Sequence, residues 1–196
     1  MSMKDEKNRI AMGSCDIYMT EFTGSTFADI PEDSVLETPE NLIGRTKDGA
    51  TFSYNTTSYT AKSDDGIAQR TEITEQTVTL SFGLITWNGD TIQKLIPIAN
   101  VVVQAIGGTG RKLRRTTGKS IGNADGKVYI VRAVHKDKVK GDVKYTIIGK
   151  NLEGFSAAYK PGSETTITPT ITAEPDGNGD LFIIDEYDVE GTVSES

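Results

Sequence analysis

The chain has 196 residues, with 28 acids against 21 bases and a net charge of −7. A domain of this size buries a full core without disulfides or metals, and a single Cys15 and a single His135 exclude an internal disulfide and a structural zinc site of Cys and His ligands. The acidity argues against a protein that grips nucleic acid through phosphate contacts, no apolar run reaches the 18 residues of a membrane span, and MSMKDEKNRI lacks the apolar segment of a secretory signal.

With 25 Thr and 20 Gly, and little Leu or Ala at helical spacing, the composition is rich in strand and turn formers. Residues 1–12 are polar and irregular and are expected to form a flexible N-terminal arm, leaving 13–196 as one β domain. CDIYMTEF (15–22) reads as a short strand. IPEDSVLETPENLIG (30–44) reads as a loop. GATFSYNTTSYT (49–60) alternates Phe52 and Tyr54 on one face, and Thr57 and Ser58 are expected to turn the chain. KSDDG (62–66) is a further turn. TEITEQTVTLSFG (71–83) is the clearest strand. Val78, Leu80 and Phe82 point one way and Glu75, Thr77, Thr79 and Ser81 the other, as period two requires.

NGDTIQKLIPIAN (88–100) predicts a short helix. Asn88 or Asp90 caps it, Ile92, Leu95 and Ile96 form its apolar face, and Pro97 ends it. The β-branched run VVVQAI (101–106) predicts a buried strand. KVYIVRAVH (127–135) and DVKYTIIG (142–149) predict a strand pair. TTITPTITAE (165–174) alternates Ile167, Pro169 and Ile171 with Thr166, Thr168, Thr170 and Thr172. Pro169 lacks a donor, which predicts an edge strand or a bulge. PDGNGD (175–180) reads as a hairpin turn before the last strand, LFIIDEYDV (181–189).

Charge is unevenly placed. From Glu174 onward the chain has eight acids and no Lys or Arg. GGTGRKLRRTTGKS (107–120) holds Arg111, Lys112, Arg114, Arg115 and Lys119 and is expected to be a mobile basic loop suited to an acidic surface of a neighbouring subunit. The chemical motifs fail on their own terms. LRRTTGKS (113–120) ends like a phosphate loop, but Leu113 stands where the first glycine is needed. DGNGD (176–180) begins like a calcium loop, but Leu181 and Tyr187 replace the turn glycine and the bidentate Glu. Cys15 reads as a small buried hydrophobe, His135 as a polar strand end and Trp87 as a core residue. No catalytic, metal or cofactor constellation is expected.

What stands out is architectural: strands with one apolar face and one face of Thr and Ser. In order and spacing the segments GSCDIYMTEF, ENLIGRTKDGATFSY, TEITEQTVTLSFGLITWNGDTIQKLI and GKVYIVRAVHKDKVKGDVKYTIIGKNLEGFSAAYKPGSETTITPTITAEPDGNGDLFIIDEY resemble the tail tube (major tail) proteins of long-tailed bacteriophages or prophages of Gram-positive hosts. The resemblance implies an all-β fold, a β-sandwich or split barrel with one short helix. It also implies six-membered rings that stack into a hollow tube in the virion, assembled in the bacterial cytoplasm. Copies of the chain itself, the tape measure protein, the tail terminator and the baseplate or distal tail proteins are the implied partners, with DNA passing through unbound.

On that reading Glu75, Thr77, Thr79, Ser81, Thr166, Thr168, Thr170 and Thr172 are candidates to line the channel. Ile10, Met12, Leu42, Ile43, Phe52, Tyr54, Arg111, Lys112, Arg114 and Arg115 are candidates for contacts between subunits. The arm and the loop 30–65 are expected to order on subunit contact, and 107–120 to lie away from the channel. The alternatives are another ring-forming tail or baseplate protein, a contractile-type inner tube, a surface module that binds carbohydrate, and an enzyme.

Overall fold

The computed structural model describes residues 13–108, 110–120, 126–138, 140–157, 159 and 161–187. In chain order its elements are β1 (Asp16–Glu21), a 3-10 turn (Phe27–Asp29), α1 (Asp33–Leu36), β2 (Thr46–Lys62), β3 (Gln69–Leu84), α2 (Gly89–Leu95), β4 (Ala99–Ile106), β5 (Arg111–Gly118), β6 (Tyr129–His135), β7 (Val143–Lys150), β8 (Thr170–Ala173) and β9 (Phe182–Glu186). One antiparallel sheet runs β1-β6-β7-β8-β3-β2 with β9 also on β7, and β4 and β5 form a separate ribbon. The fold is all-β and sandwich-like.

The large sheet curls until its two ends share one core. Ile17 and Met19 of β1, Val131 of β6, Ile147 of β7, Ile171 of β8 and Val78, Leu80 and Phe82 of β3 join a single cluster and are at most 3% exposed. The segment leading into β2 ties back to β1 through the backbone, Met19 N donating to Asn41 O at 2.9 Å and Ile43 N to Ile17 O at 3.1 Å, and Thr46 Oγ1 donates to Cys15 O at 2.8 Å. At the end of this core sits α2. Asn88 caps it by accepting from the backbone of Asp90 (2.9 Å) and Thr91 (3.0 Å), Leu95 is buried, and Asn151 Nδ2 donates to Leu95 O at 2.8 Å to close its C-terminus.

Strands β6 and β7 are covered on both faces, which is why their sequences read as nearly unbroken apolar runs. On the outer face Ile130 and Ile148 pack with Phe27 and Leu36 in a second, smaller core. The one-turn α1 roofs this face. Asp33 and Glu37 bind both Arg132 and Lys144, whose side chains are 6% exposed, and Lys144 also lies over the Tyr187 ring. Buried cations require such partners.

Several expectations are corrected. Thr57 and Ser58 do not turn the chain: β2 continues to Lys62 and the irregularity is a register shift against β3. The stretch 101–106 is a strand but not a buried one, since Val102 and Val103 are 44% and 53% exposed. The basic segment is not a mobile loop, because Arg111–Gly118 is β5, paired rung by rung with β4. The loop 30–65 is structured within the single chain through Leu36, Ile43 and β2.

The strand at 170–173 is interior, between β7 and β3. Pro169 keeps the register from Ile167 to Thr172 without a bulge, accepting from Phe82 N at 3.3 Å while the return bond is missing. PDGNGD is a turn but not a hairpin: β8 and β9 run the same way along one edge of β7. Trp87 is partly exposed and lies outside the core clusters.

Candidate functional site: a hydroxyl face and two projecting ribbons

The two strands singled out for their hydroxyl faces are neighbours. Thr79 pairs with Thr172 and Ser81 with Thr170, and on the far side of β3 these residues meet Ser53 and Thr51 of β2. Residues paired across antiparallel strands share a face, so Thr51–Ser81–Thr170 and Ser53–Thr79–Thr172 form two rows of hydroxyls across three strands. Ser81 Oγ and Thr170 Oγ1 are 2.9 Å apart. Further out the face carries Asn55 opposite Thr77 and Thr57 opposite Glu75. Thr166 is half-buried and Thr168 exposed.

Two lysines share this face at its ends, and both are neutralised. Lys150, paired with Thr172, is held by Glu174 at 2.9 Å, and Lys47, paired with Gly83, is held by Glu164. Glu75 is exposed. The face is therefore wetted by hydroxyls and leans negative.

Past the last rung shared with β8, β2 and β3 leave the body as a ribbon. Every residue from Tyr54 to Gln76 is exposed, including Tyr59, Ile67 and Ile73 at 66%, 85% and 58%. The segment Gln69–Val78 extends roughly 30 Å at about 3.3 Å per residue. The β4–β5 ribbon is the second projection. It is tethered to α2 by a two-pronged ion pair from Arg114 to Asp90, and it exposes Val102, Val103, Ile106 and Leu113 between Arg111, Lys112 and Arg115.

The remaining candidates fall in different places. Phe52 packs on Tyr145 and Phe182 with ring centroids 5.1 and 5.2 Å apart, and Tyr54 is half-exposed at the start of the ribbon. Ile43 is buried within the chain's own core and Leu42 only partly, which removes Ile43 as a contact residue. Ile10 and Met12 lie outside the described residues. Sequence reasoning missed the Asp33–Glu37–Arg132–Lys144 network, although two charged residues inside the apolar runs 129–134 and 143–148 are its trace.

Cys15 and His135 line one cavity of about 500 Å³, in the gap between β1 and β2. The His135 ring donates through Nδ1 to Ser14 O at 3.2 Å. Burial, and then the Asp16 charge, push the Cys15 thiol up, so the thiol is neutral and unsuited to nucleophilic work. Asp176 of the calcium-like turn spends its carboxylate on the backbone N–H groups of Phe27, Asn178 and Asp180 at 2.8–2.9 Å. Among the described residues no group of three His, Cys, Asp or Glu side chains is placed to hold a metal, and no helix is long and apolar enough to cross a membrane.

No protein-family model and no curated protein sequence matches the chain. Among solved structures the chain is similar to a component of a gene transfer agent particle, described as "Virion of native gene transfer agent (GTA) particle". The TM-score is 0.40 and the identity 11%, with 88% of this chain and 95% of the other covered.

Proposed function

We propose that the chain is a structural virion subunit of phage type, and within that class a tail tube protein. Six copies close into a ring, and rings stack into a hollow tube that holds the tape measure protein and conducts DNA. The observation that carries this reading is the hydroxyl face across β2, β3 and β8. DNA in a conduit must slide. Lysines and arginines on the wall would bind phosphates with salt-dependent affinity, and here the face offers hydroxyls, one free carboxylate and two lysines already paired. In a sixfold ring each Glu75 recurs six times per layer, which adds a potential repulsive to phosphate.

The open edges support the same reading. β2 is a 17-residue edge strand, a hazard in a lone subunit that edge-to-edge pairing in a closed ring removes. The order and spacing of the sequence segments, which resemble those of tail tube proteins, are the further support. The alternative inside the class is another ring-forming tail or baseplate protein, or a contractile-type inner tube.

Negative-stain microscopy of concentrated protein tests the reading. Long hollow filaments or stacked rings support the tube. Isolated rings favour the baseplate alternative, and monomers at every concentration contradict both.

A further inference from the structure

We propose that the cationic β4–β5 ribbon of one copy docks against the projecting β2–β3 ribbon of a second copy. This inference rests on the reading of the chain as a self-assembling subunit and names the two surfaces that meet. A two-stranded ribbon exposed on both faces is marginal in water by itself, and this chain has two. Both carry large apolar side chains in the open: Tyr59, Ile67 and Ile73 on one, Val102, Val103, Ile106 and Leu113 on the other.

Their charges are opposite. Apart from Glu75, which belongs to the hydroxyl face, the stretch between Tyr54 and Gln76 holds Asp64, Asp65 and Glu72 against Lys62 and Arg70, with Glu72 ion-paired to Arg70. Between Ala99 and Ser120 stand Arg111, Lys112, Arg114, Arg115 and Lys119 and no acid. Arg114 is already committed to Asp90. Lys112 and Arg115 are exposed on opposite faces of the ribbon, since Lys112 pairs with Ala105 and Arg115 with Val102.

Within one chain the two ribbons belong to separate sheets and share no rung. Where the ribbon that a copy offers and the ribbon that it receives engage different neighbours, the contact is heterologous and propagates into rings or stacks; two copies that exchanged both ribbons would close a dimer instead. Nucleic acid is a poorer occupant of the basic ribbon. Phosphates would leave Val102, Ile106 and Leu113, which share one face with Arg115, uncovered, whereas an apolar ribbon laid on that face covers them. The acid at the tip also places this contact beyond the hydroxyl face, consistent with cations held off the channel wall.

Charge reversal tests this directly. Three full-length variants are compared with the natural chain by sedimentation at low and at moderate salt: Lys112→Glu with Arg115→Glu, Asp64→Lys with Glu72→Lys, and all four changes together. All four positions are exposed, and unchanged melting confirms the fold of each variant. Each two-site reversal is expected to weaken self-association by about tenfold or more at low salt, and the four-site chain to recover most of it, because complementarity is restored with swapped signs. Association unchanged in both two-site variants, no recovery in the four-site chain, or a natural chain that stays monomeric would each overturn the docking. So would loss of duplex DNA retention by Lys112→Glu with Arg115→Glu at undiminished self-association. Charge-coupled association without hollow tubes in the microscope would leave the docking standing and remove the tube reading. Tubes whose growth ignores the reversals would do the opposite.

Discussion

Ser81 and Thr170, 89 positions apart in sequence, meet across the β3–β8 rung with their hydroxyl oxygens 2.9 Å apart. The bond joins two segments that each carry hydroxyls on one face and Val, Leu, Phe or Ile on the other. It marks the point where two separate alternations merge into one polar surface over a shared core.

That surface predicts a separation of assembly from conduction. Glu75→Lys with Thr79→Lys changes one exposed and one half-buried position and leaves Val78, Leu80 and Phe82 in place. Tails of normal length are expected, with DNA ejection slowed or abolished, as read by infectivity and by ejection kinetics in vitro. Full infectivity with intact tails places the face outside the channel.

The junction of β7 with β8 is sterically tight. A Cβ on Gly149 would stand 2.0 Å from Thr172 O, a backbone atom with little room to retreat. Gly149→Ala is expected to destabilise the domain by about 1–3 kcal/mol, read from the denaturant midpoint. An unchanged midpoint shows that β8 moves aside freely and that the rung Gly149–Ala173 is not a fixed part of the curl.

The charged roof over the second core gives stability a pH dependence. Burial disfavours the Asp33 carboxylate, but Lys144 and Arg132 outweigh it and hold its pKa below the ordinary aspartate value. A depressed carboxyl contributes stability above its unfolded pKa, about 3.9, and loses it as pH falls through the lower folded value. Burial also opposes the Lys144 charge, yet Asp33 and Glu37 raise its pKa. That contribution is complete below the unfolded lysine value of about 10.4 and is lost as pH climbs through the folded one. Thermal melts from pH 2 to 5 should therefore fall more steeply for the natural chain than for Asp33→Asn. Parallel curves contradict the assignment.

Cys15 should react slowly in the folded chain. Its thiol is partly buried and its pKa raised by burial, and the thiolate is the reactive form. Labelling by a disulfide reagent at pH 7 is expected to be much slower in native than in urea-unfolded protein. Equal rates would show an open, activated thiol and return the cavity with His135 to consideration as a reactive site.

The parts of the fold legible in sequence are those where one physical rule acts alone. Alternation at 77–82 gave the buried and hydroxyl faces of β3, and Asn88 with Leu95 and Pro97 marked the α2 helix. Rules in competition misled. The β-branched run at 101–106 reads as buried because Val and Ile favour cores, but its partner is a strand of Arg and Lys, so the ribbon stays outside. Gly and Thr at 107–120 suggest a loop, yet Arg111–Gly118 pairs as a strand with Ala99–Ile106. Pro169 forfeits a single bond in an interior strand, a cost its neighbours Ile167 and Ile171, both fully buried, offset. The meeting of Ser81 with Thr170 depends on long-range topology that no local pattern encodes, and the same holds for the tie from Asp33 to Lys144.

The central claim is that this chain closes into a hollow tube with the hydroxyl face inward. A cryo-electron microscopy reconstruction of the polymer formed by the purified protein tests it most directly. The account predicts a ring of six subunits in each layer, with Ser53, Thr79, Ser81, Thr170 and Thr172 lining an open lumen and Lys112 and Arg115 at a contact between subunits. A solid filament, or a lumen lined by the β4–β5 cations with the hydroxyl face turned to solvent, would contradict it.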